Sequence, residues 1–272
     1  MAKYIFWIQG PFNYKILLHN YSLLLKSEIN FKIIVCSNDY INFSKLKNVE
    51  SIQIEDPGQD VNEKIKLNYS RQYSTTSPIL HQPNILDAKL ICKLRSDIRI
   101  ENHKKFVKLL DYLGENDKIV VSSYSTMHVY NAFNYSFHIS DWIYIGKPNL
   151  ILELISKENR SSNVVCEAKN RIYLEHWVGI ETCEQAMIDK SIFLKRNFYE
   201  IIYPINILRH GLKLEKYNYL FFPRNWRELK TVIFARLSTF TELDYKLIRL
   251  IPFSRHIIAN IKTCFIKLII NK

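Results

Sequence analysis

Glycine and proline are scarce in this sequence, which has six Gly and eight Pro among its 272 residues. Collagen-like repeats and low-complexity linkers need far more of both, so the composition excludes these classes. Hydrophobic residues instead make up 47% of the chain. A chain of this length and hydrophobicity can bury a sizeable core, either as one α/β domain with an appendage or as two small domains.

Paired cysteines are also missing, because the five cysteines form no CxxC motif and are odd in number. Neither a disulfide framework nor a zinc ribbon is therefore predicted, and a reducing compartment fits this usage best. The first residues predict a β-strand, whereas a signal peptide would begin with a charged segment followed by a long apolar run. We therefore expect no signal peptide. Together these features predict a cytoplasmic protein.

Long apolar runs and the common catalytic signatures are absent as well. No stretch of about 18 uninterrupted apolar residues occurs, which argues against a membrane-spanning helix. The sequence contains no Walker loop and no GxGxxG, GxSxG or HExxH motif. Phosphate-loop, dinucleotide, hydrolase-elbow and zincin mechanisms therefore lack their usual residues.

Basic residues outnumber acidic ones, and the formal net charge is +12. Strongly basic proteins usually bind nucleic acid, anionic lipid or phosphorylated substrates. Residues 224–272 hold ten Lys/Arg and three Asp/Glu, a net charge of +7. We therefore divide the chain into a core over residues 1–222 and a basic tail over residues 223–272.

The tail has apolar residues at helical spacing, with Lys and Arg between them, before and after Pro252. The apolar positions are Trp226, Leu229, Ile233, Leu237, Phe240, Leu243, Leu247, Ile251, Phe253, Ile257, Ile261, Phe265, Leu268 and Ile269. Such a basic amphipathic pair of helices is typical of a segment lying in the headgroup plane of an anionic membrane. A helical hairpin that covers the core, or that joins two copies in a homo-oligomer, is an equally good interpretation.

The core alternates strand-like and helix-like segments. Tyr4–Gln9 and Lys32–Cys36 are short apolar runs that predict buried strands, and the leucine spacing between them predicts a helix over residues 14–27. Residues 61–80 predict a polar helix followed by a loop. Further strands are predicted at Ser51–Ile54, within Leu90–Ile100 ahead of Arg95-Ser96-Asp97, at Lys118–Ser122 and at Trp142–Gly146. This alternation predicts an α/β fold with a parallel sheet.

One candidate site follows the strand in KLRSDIRI, where Asp97 comes just after Lys93 and Arg95. Ligands of α/β sheets gather at the carboxyl ends of strands. A nucleoside diphosphate that leaves a sugar needs its charge neutralised by a divalent metal on oxygen ligands or by Lys and Arg, and this segment has both kinds of group. A plain Arg–Asp pair at a solvated strand end is the alternative.

Two further acids are candidate general bases. Asp141 lies in FHISDWIYIG beside Trp142, and Glu175 precedes His176 in RIYLEHWVG. An inverting glycosyltransferase needs a carboxylate that takes the proton from the acceptor hydroxyl. Asp141 could equally cap a turn, and Glu175 could be a helix-surface residue beside a partly buried histidine. The indoles of Trp142 and Trp177 are candidates for stacking on a sugar or nucleobase.

Several short motifs, taken in order, resemble the WavE lipopolysaccharide synthesis family. They are N-x-x-R-Q-x-S-T at Asn68 to Thr75, K-x-R-S-D at Lys93 to Asp97, Gln9-Gly10-Pro11, Asp56-Pro57-Gly58, the block around Asp141, and Leu174-Glu175-His176. They span roughly residues 4–180. No single motif is specific, but their order is hard to obtain by chance.

The resemblance implies a glycosyltransferase of lipopolysaccharide core, O-antigen or capsule synthesis with a GT-A-like fold, a mixed and mostly parallel sheet flanked by helices. It implies that Asp97 binds the diphosphate of a UDP-linked sugar donor through Mn²⁺ or Mg²⁺, and that Asp141 or Glu175 is the base. The further donor contacts that it implies are Gln9, Gly10, Asn68, Arg71, Gln72 and Lys93. Arg95 replaces the first acid of a DxD motif, so metal dependence stays open and the guanidinium could contact phosphate directly.

The complete interpretation is a transferase core that the tail holds on the inner membrane, near a lipid-linked glycan acceptor. A non-catalytic scaffold of a glycan assembly complex is one alternative. A nucleic-acid-binding protein is the other, because a basic, aromatic-rich chain would suit one. The aromatics lie mostly within strand-like apolar runs, so we do not expect a nucleic-acid partner.

Overall fold

The computed structural model describes residues 4–39, 41–58, 60–62, 65–67, 74–122, 142–155, 202–205, 207–215, 257–258 and 261. The strands are β1 (Tyr4–Gln9), β2 (Phe31–Ser37), β3 (Val49–Gln53), β4 (Asp60–Asn62), β5 (Ile65–Leu67), β6 (Leu90–Arg95), β7 (Ile98–Ile100), β8 (Ile119–Ser122), β9 (Ile143–Gly146), β10 (Ile202–Ile205) and β11 (Leu212–Leu214). The two long helices are α1 (Tyr14–Lys26) and α2 (His103–Glu115). Two 3₁₀ helices cover Ser77–His81 and Ile85–Asp87, and a further helix includes residues 148–155.

The centre of the fold is a seven-stranded sheet with the order β10-β8-β9-β6-β1-β2-β3. Strand β9 is antiparallel to both of its neighbours, whereas the other neighbouring pairs are parallel. The predicted α/β fold with a mostly parallel sheet is therefore confirmed. The chain fills the β1-β2-β3 side of the sheet first and then places β6 on the opposite side of β1, so the strand order reverses between β1 and β6.

Helices α1 and α2 form because each has an asparagine cap and an apolar stripe. The side chain of Asn13 accepts a hydrogen bond from the backbone of Ile16 at 3.2 Å, and Asn102 accepts one from Lys105 at 3.1 Å. Each bond satisfies one of the backbone N–H groups that a helix start leaves without a partner. Along α2 the buried positions are Phe106, Leu109, Leu110 and Leu113. This spacing presents one apolar face to the sheet.

The sheet is covered on both faces. On one face, alternate residues of β1, β2, β6 and β9 form an apolar core with α1 and α2, in which the Phe6 and Phe106 rings lie 6.1 Å apart. On the other face, the buried residues include Ile79 and Ile151, from the first 3₁₀ helix and from the helix over residues 148–155. Gly146 of β9 allows this second helix to approach, since a Cβ there would lie 3.3 Å from Ile151.

A small antiparallel ribbon of β7 and β11 lies next to α1. The buried amide of Asn20 donates to the carbonyl of Ile98 at 2.9 Å and accepts from the backbone N–H of Ile100 at 2.8 Å. Asn20 of α1 therefore forms hydrogen bonds with one edge of β7, as a neighbouring strand would, while β11 pairs with the other edge. This double attachment fixes the chain directly after Asp97.

Most predicted elements are confirmed, with one correction. Residues 61–80 were expected to begin with a helix, but residues 60–62 and 65–67 form the short antiparallel pair of β4 and β5. Among the described residues that come later in this range are a helical turn at residues 74–76 and the first 3₁₀ helix. The strand predicted ahead of Arg95-Ser96-Asp97 is confirmed as β6, and a further short strand, β7, follows the turn at Ser96 and Asp97.

Almost all of the predicted tail lies outside the described residues, and its division from the core stays a prediction. Within it, Ile257 and Ile261 are helical and 61% and 52% exposed. Among the residues that the structure describes, none of the helices is both long and apolar enough to pass through a bilayer.

Candidate functional site

The carboxyl ends of β1 and β6 lie side by side where the strand order of the sheet reverses. Gln9 and Arg95, the last residues of these strands, are register partners. In open α/β sheets the crevice at such a reversal is the usual ligand site, because the loops that leave the two strands diverge there. The candidate site is therefore this edge, with the turn over residues 96–97.

Arg95 and Asp97 form a two-pronged ion pair at this edge. The Nε atom of Arg95 donates to Oδ1 of Asp97 at 3.1 Å, and Nη2 donates to Oδ2 at 2.9 Å. The two side chains are 21% and 17% exposed, so both are largely buried. The two hydrogen bonds join a planar guanidinium to a planar carboxylate, and the spacing of the two donor atoms matches that of the two acceptor atoms. They therefore hold the guanidinium in one orientation. The plain Arg–Asp pairing that the sequence left open is thus present.

Polar bonds tie the loop after β1 to the end of β6. The backbone N–H of Ser96 donates to the carbonyl of Gln9 at 2.8 Å, and its hydroxyl donates to the carbonyl of Pro11. The buried carboxamide oxygen of Gln9 accepts from the hydroxyl of Thr76. Gly10 has φ +103, a conformation that favours glycine. The predicted donor contacts Gln9 and Gly10 thus lie at the candidate site, and Gln9 has a clear role in holding it together.

A row of large side chains lies behind the ion pair on the same face of the sheet. Trp7, Lys93 and Tyr144 are register partners on β1, β6 and β9. Lys93 is fully buried, and its ammonium lies 4.3 Å from the centre of the Tyr144 ring. The indole N–H of Trp7 donates to the carbonyl of Thr75 at 3.0 Å. The cation–π contact stabilises a charge that burial alone would destabilise.

The ribbon of β7 and β11 holds the other side of the Asp97 turn. The backbone N–H of Glu215 donates to the carbonyl of Asp97 at 2.9 Å. Arg99 lies 3.1 Å from the carboxylate of Glu101 and 3.3 Å from that of Glu215. The two arginines on either side of this turn therefore have different partners. Arg95 pairs with Asp97, whereas Arg99 pairs with Glu101 and Glu215.

The predicted stacking role of Trp142 finds no support, because this residue is only 8% exposed and belongs to the apolar core. Its carbonyl accepts from the backbone N–H of Arg95 at 3.2 Å, which extends the pairing of β6 with the start of β9. The remaining predicted site residues lie outside the described residues and stay predictions. They are Asn68, Arg71, Gln72, Asp141, Glu175, His176 and Trp177.

The sequence did not identify four residues that build this site. They are Trp7, Thr76, Ser96 and Tyr144. Their roles arise from strand register and from the turn after β6. A polar residue directly after a predicted strand, as at Ser96, was the one available indication.

The metal site predicted at Asp97 does not follow from the residues described here. Both oxygens of Asp97 are bonded to a guanidinium. In the described ranges no three His, Cys, Asp or Glu side chains are grouped closely enough to hold an ion. These donors do not by themselves fit Mn²⁺ or Mg²⁺, which take several oxygen ligands.

Two thiols lie in the sheet close to this edge. Burial raises the pKa of Cys36 to about 12 and raises the pKa of Cys92 further still. A buried thiol that keeps its proton is a poor nucleophile and a poor metal ligand. The chemistry of the site therefore depends on its nitrogen and oxygen groups.

Comparison with known proteins adds no family assignment. No protein-family model matches the chain, and a search of curated proteins gives no match. The resemblance to the WavE family accordingly stays a prediction from the motifs alone.

Proposed function

We propose that this chain is a glycosyltransferase that moves a sugar from a nucleotide-sugar donor to a growing lipopolysaccharide core, O-antigen or capsule glycan. The observation that carries the proposal is the position of Lys93, Arg95 and Asp97 at the strand-order reversal. Transfer leaves negative charge on a departing nucleoside diphosphate, and cations held in place before the reaction stabilise that charge most effectively.

The architecture of the sheet supports the same proposal. A mostly parallel sheet with one antiparallel strand beside β6, covered on both faces, is compatible with the GT-A-like fold that the motif resemblance implies. Many unrelated functions share such α/β folds, so this compatibility supports the fold and adds little about the reaction. The argument for transfer therefore rests on the site.

In the proposed reaction, Arg95 binds the donor diphosphate and Asp97 positions the guanidinium of Arg95. The ammonium of Lys93 is fully buried, so it acts through its positive charge and does not make the direct donor contact that the resemblance implies. The donor contacts proposed at Asn68, Arg71 and Gln72, and the general base proposed at Asp141 or Glu175 with His176, rest on the resemblance. The basic tail is proposed to hold the enzyme on the cytoplasmic side of the inner membrane, near a lipid-linked acceptor.

A ligand screen tests this function. The purified chain is heated with UDP-, GDP-, CMP- and dTDP-sugars, each with and without Mn²⁺. A donor at 100 times its Kd stabilises the folded state by about 2.7 kcal/mol, which corresponds to a rise in Tm of roughly 5–10 °C for a chain of this size. We expect stabilisation by sugars of one nucleotide. If no nucleotide sugar raises the Tm with or without metal, the proposed function is wrong.

A non-catalytic scaffold is the second candidate, and one observation favours it. Both oxygens of Asp97 are occupied by Arg95, as in an ion pair with a purely structural role. Asp97→Asn distinguishes the two candidates in cells that need this chain for glycan synthesis. Synthesis should fall sharply if the chain is the transferase, whereas normal synthesis would favour the scaffold.

A further inference from the structure

Helix α2 begins with a concentration of positive charge that its fold does not explain. Lys104, Lys105 and Lys108 lie in its first two turns and are exposed, and the first turn has no acidic residue. The start of a helix has a partial positive charge, so cations there are unfavourable. A local arrangement that opposes helix stability without a packing benefit is more often kept for function.

A second segment brings another cation to the same place. The backbone N–H groups of Glu101 and Asn102 donate to the carbonyl of Gly211 at 2.8 and 3.1 Å. Gly211 has φ +77, and a Cβ there would lie 2.4 Å from the carbonyl oxygen of Asn102, so this contact requires glycine. The turn that ends at Gly211 includes the exposed Arg209. We name Lys104, Lys105, Lys108 and Arg209 the basic corner.

In the described part of the chain, the members of the basic corner have no counter-ions. Lys32 pairs with Glu50 at 2.8 Å, and Lys147 pairs with Asp117 at 2.7 Å. Within the described ranges, by contrast, no member of the basic corner has an acidic partner within 4.0 Å. Its positive charge is therefore not neutralised by ion pairs with the described residues, and it is available to an external anion.

We propose that the basic corner binds the headgroups of an anionic lipid bilayer, as a membrane contact separate from the tail. Lysine and arginine near a bilayer surface are attracted by its negative potential, and they act together when several face the same way. Helix α2 runs back from the carboxyl edge of the sheet toward the start of β8. Its first turns therefore lie toward the edge that includes Arg95 and Asp97, and docking there would bring that edge close to the membrane.

A bilayer suits this protein better than a nucleic acid because the chain also exposes apolar groups suited to a lipid interface. Ile257 and Ile261 are exposed one helical turn apart, with Arg255 and Lys262 beside them in the sequence. Apolar and cationic groups together favour the boundary between headgroups and acyl chains. Stable attachment commonly needs two such weak contacts, and the basic corner would supply the second.

Vesicle binding by the full chain tests the proposal. Vesicles of phosphatidylcholine alone are compared with vesicles that contain phosphatidylglycerol, and bound protein is measured by co-sedimentation. The test variant is Lys104→Gln/Lys105→Gln/Lys108→Gln. The matched control is Lys26→Gln/Lys45→Gln/Lys47→Gln, which removes the same charge from exposed lysines elsewhere.

We expect binding to the anionic vesicles only, and a much weaker affinity for the test variant. An attraction of about 1 kcal/mol per lysine corresponds to roughly a fivefold change each, so three lysines give a loss on the order of a hundredfold. The control should lose only severalfold. Equal losses in both variants, or no loss in the test variant, would overturn the proposal.

Two further measurements make the result unambiguous. Removing cations from the start of α2 relieves an unfavourable interaction, so the Tm of the test variant should equal or exceed that of the unmodified chain. A single-stranded oligonucleotide is titrated at the same ionic strength. If the oligonucleotide binds and displaces the chain from vesicles, and if the test variant loses that binding, the basic corner is a nucleic-acid site and the proposal is wrong. Neither measurement needs a sugar donor, so the outcome is independent of the proposed transferase activity.

Discussion

The two faces of strand β6 have opposite characters. Leu90, Cys92 and Leu94 point into the apolar core under α1 and α2. Lys93 and Arg95 point to the other face, where the first is fully buried against Tyr144 and the second ends in the pair with Asp97. Because side chains alternate along a strand, one short segment can contribute to the core on one face and to the chemistry on the other.

The difference indicates where function lies, because a buried ammonium is costly. An apolar side chain at position 93 would pack between the neighbouring strands without the cost of desolvating a charge. Lys93 is charged despite this cost, and it lies next to a second cation and a carboxylate at the strand end. It is therefore a candidate functional residue. Substitutions on the two faces should therefore have separable effects on stability and on activity.

The largest effect is expected on the apolar face. Phe106→Ala removes a ring that is fully buried against Phe6. The free energy of unfolding should fall by about 3–5 kcal/mol, because the substitution loses apolar burial and leaves a cavity. Denaturant titration measures this loss. Tyr112→Ala, at an exposed position of the same helix, should cost less than about 1 kcal/mol, and a similar cost for both variants would contradict the assignment of the core.

The next largest effect is expected at the end of the polar face. Arg95→Gln should lower kcat/KM for sugar transfer by about 10²–10³, or 2.7–4 kcal/mol, the usual result of removing one donor that stabilises developing charge. Because the ion pair is partly exposed, the free energy of unfolding should change by only about 1 kcal/mol. Arg95→Lys keeps the charge but loses the paired N–H donors of the guanidinium. Its kcat/KM should therefore lie between that of Arg95→Gln and that of the unmodified chain. A rate for Arg95→Gln equal to that of the unmodified chain would remove Arg95 from the mechanism.

Asn20 is a buried polar residue that bonds β7 and is not a proposed donor contact, so its substitution tests whether stability and donor affinity can be separated. Asn20→Ala deletes both hydrogen bonds to β7, and each such bond contributes about 1 kcal/mol. We expect a stability loss of roughly 2 kcal/mol and faster hydrogen exchange at the Ile100 amide. Donor affinity measured at a temperature well below the melting point should stay within about twofold. If donor affinity instead fell as much as stability, the two faces would not be separable in this way.

The buried lysine should show the reverse behaviour. Lys93→Met keeps the length and packing of the side chain but removes its charge. The free energy of unfolding should fall far less than in Phe106→Ala, because the apolar side chain fills the same space without the cost of desolvating a charge. Donor affinity should fall by about tenfold, equivalent to 1.4 kcal/mol. A large destabilisation with unchanged affinity would make Lys93 a purely structural residue.

The smallest effect is expected at the buried thiol of Cys36. Burial raises the pKa of Cys36 from 9.0 to about 12, so the folded state keeps a proton that the unfolded state loses above pH 9. This contribution to stability is therefore present below pH 9 and is lost as the pH rises toward the folded value. Between pH 8 and 9.5 the unmodified chain should lose on the order of 1 kcal/mol more stability than Cys36→Ala. An identical pH dependence would mean that water reaches this thiol.

The sequence predicted the parts of this molecule that depend on local pattern. The strand Tyr4–Gln9 was located at its observed ends because a continuous apolar run stops at a Gly-Pro turn, and the position of Asp97 after a strand followed in the same way. The pair β4–β5 was missed because a short polar segment has no clear period and its strands depend on each other for pairing. The row of Trp7, Lys93 and Tyr144 could not be predicted, because strand order brings together residues that are far apart in the chain.

Binding of the donor nucleotide tests the central claim most directly. The nucleoside diphosphate identified by the screen is titrated calorimetrically into the unmodified chain, Arg95→Gln and Arg99→Gln. Arg99 is a matched control because it lies four residues further along the chain and is held by Glu101 and Glu215. The account predicts an affinity loss of about tenfold or more for Arg95→Gln and less than about threefold for Arg99→Gln. Unchanged affinity in Arg95→Gln, or an equal loss in both variants, would contradict it.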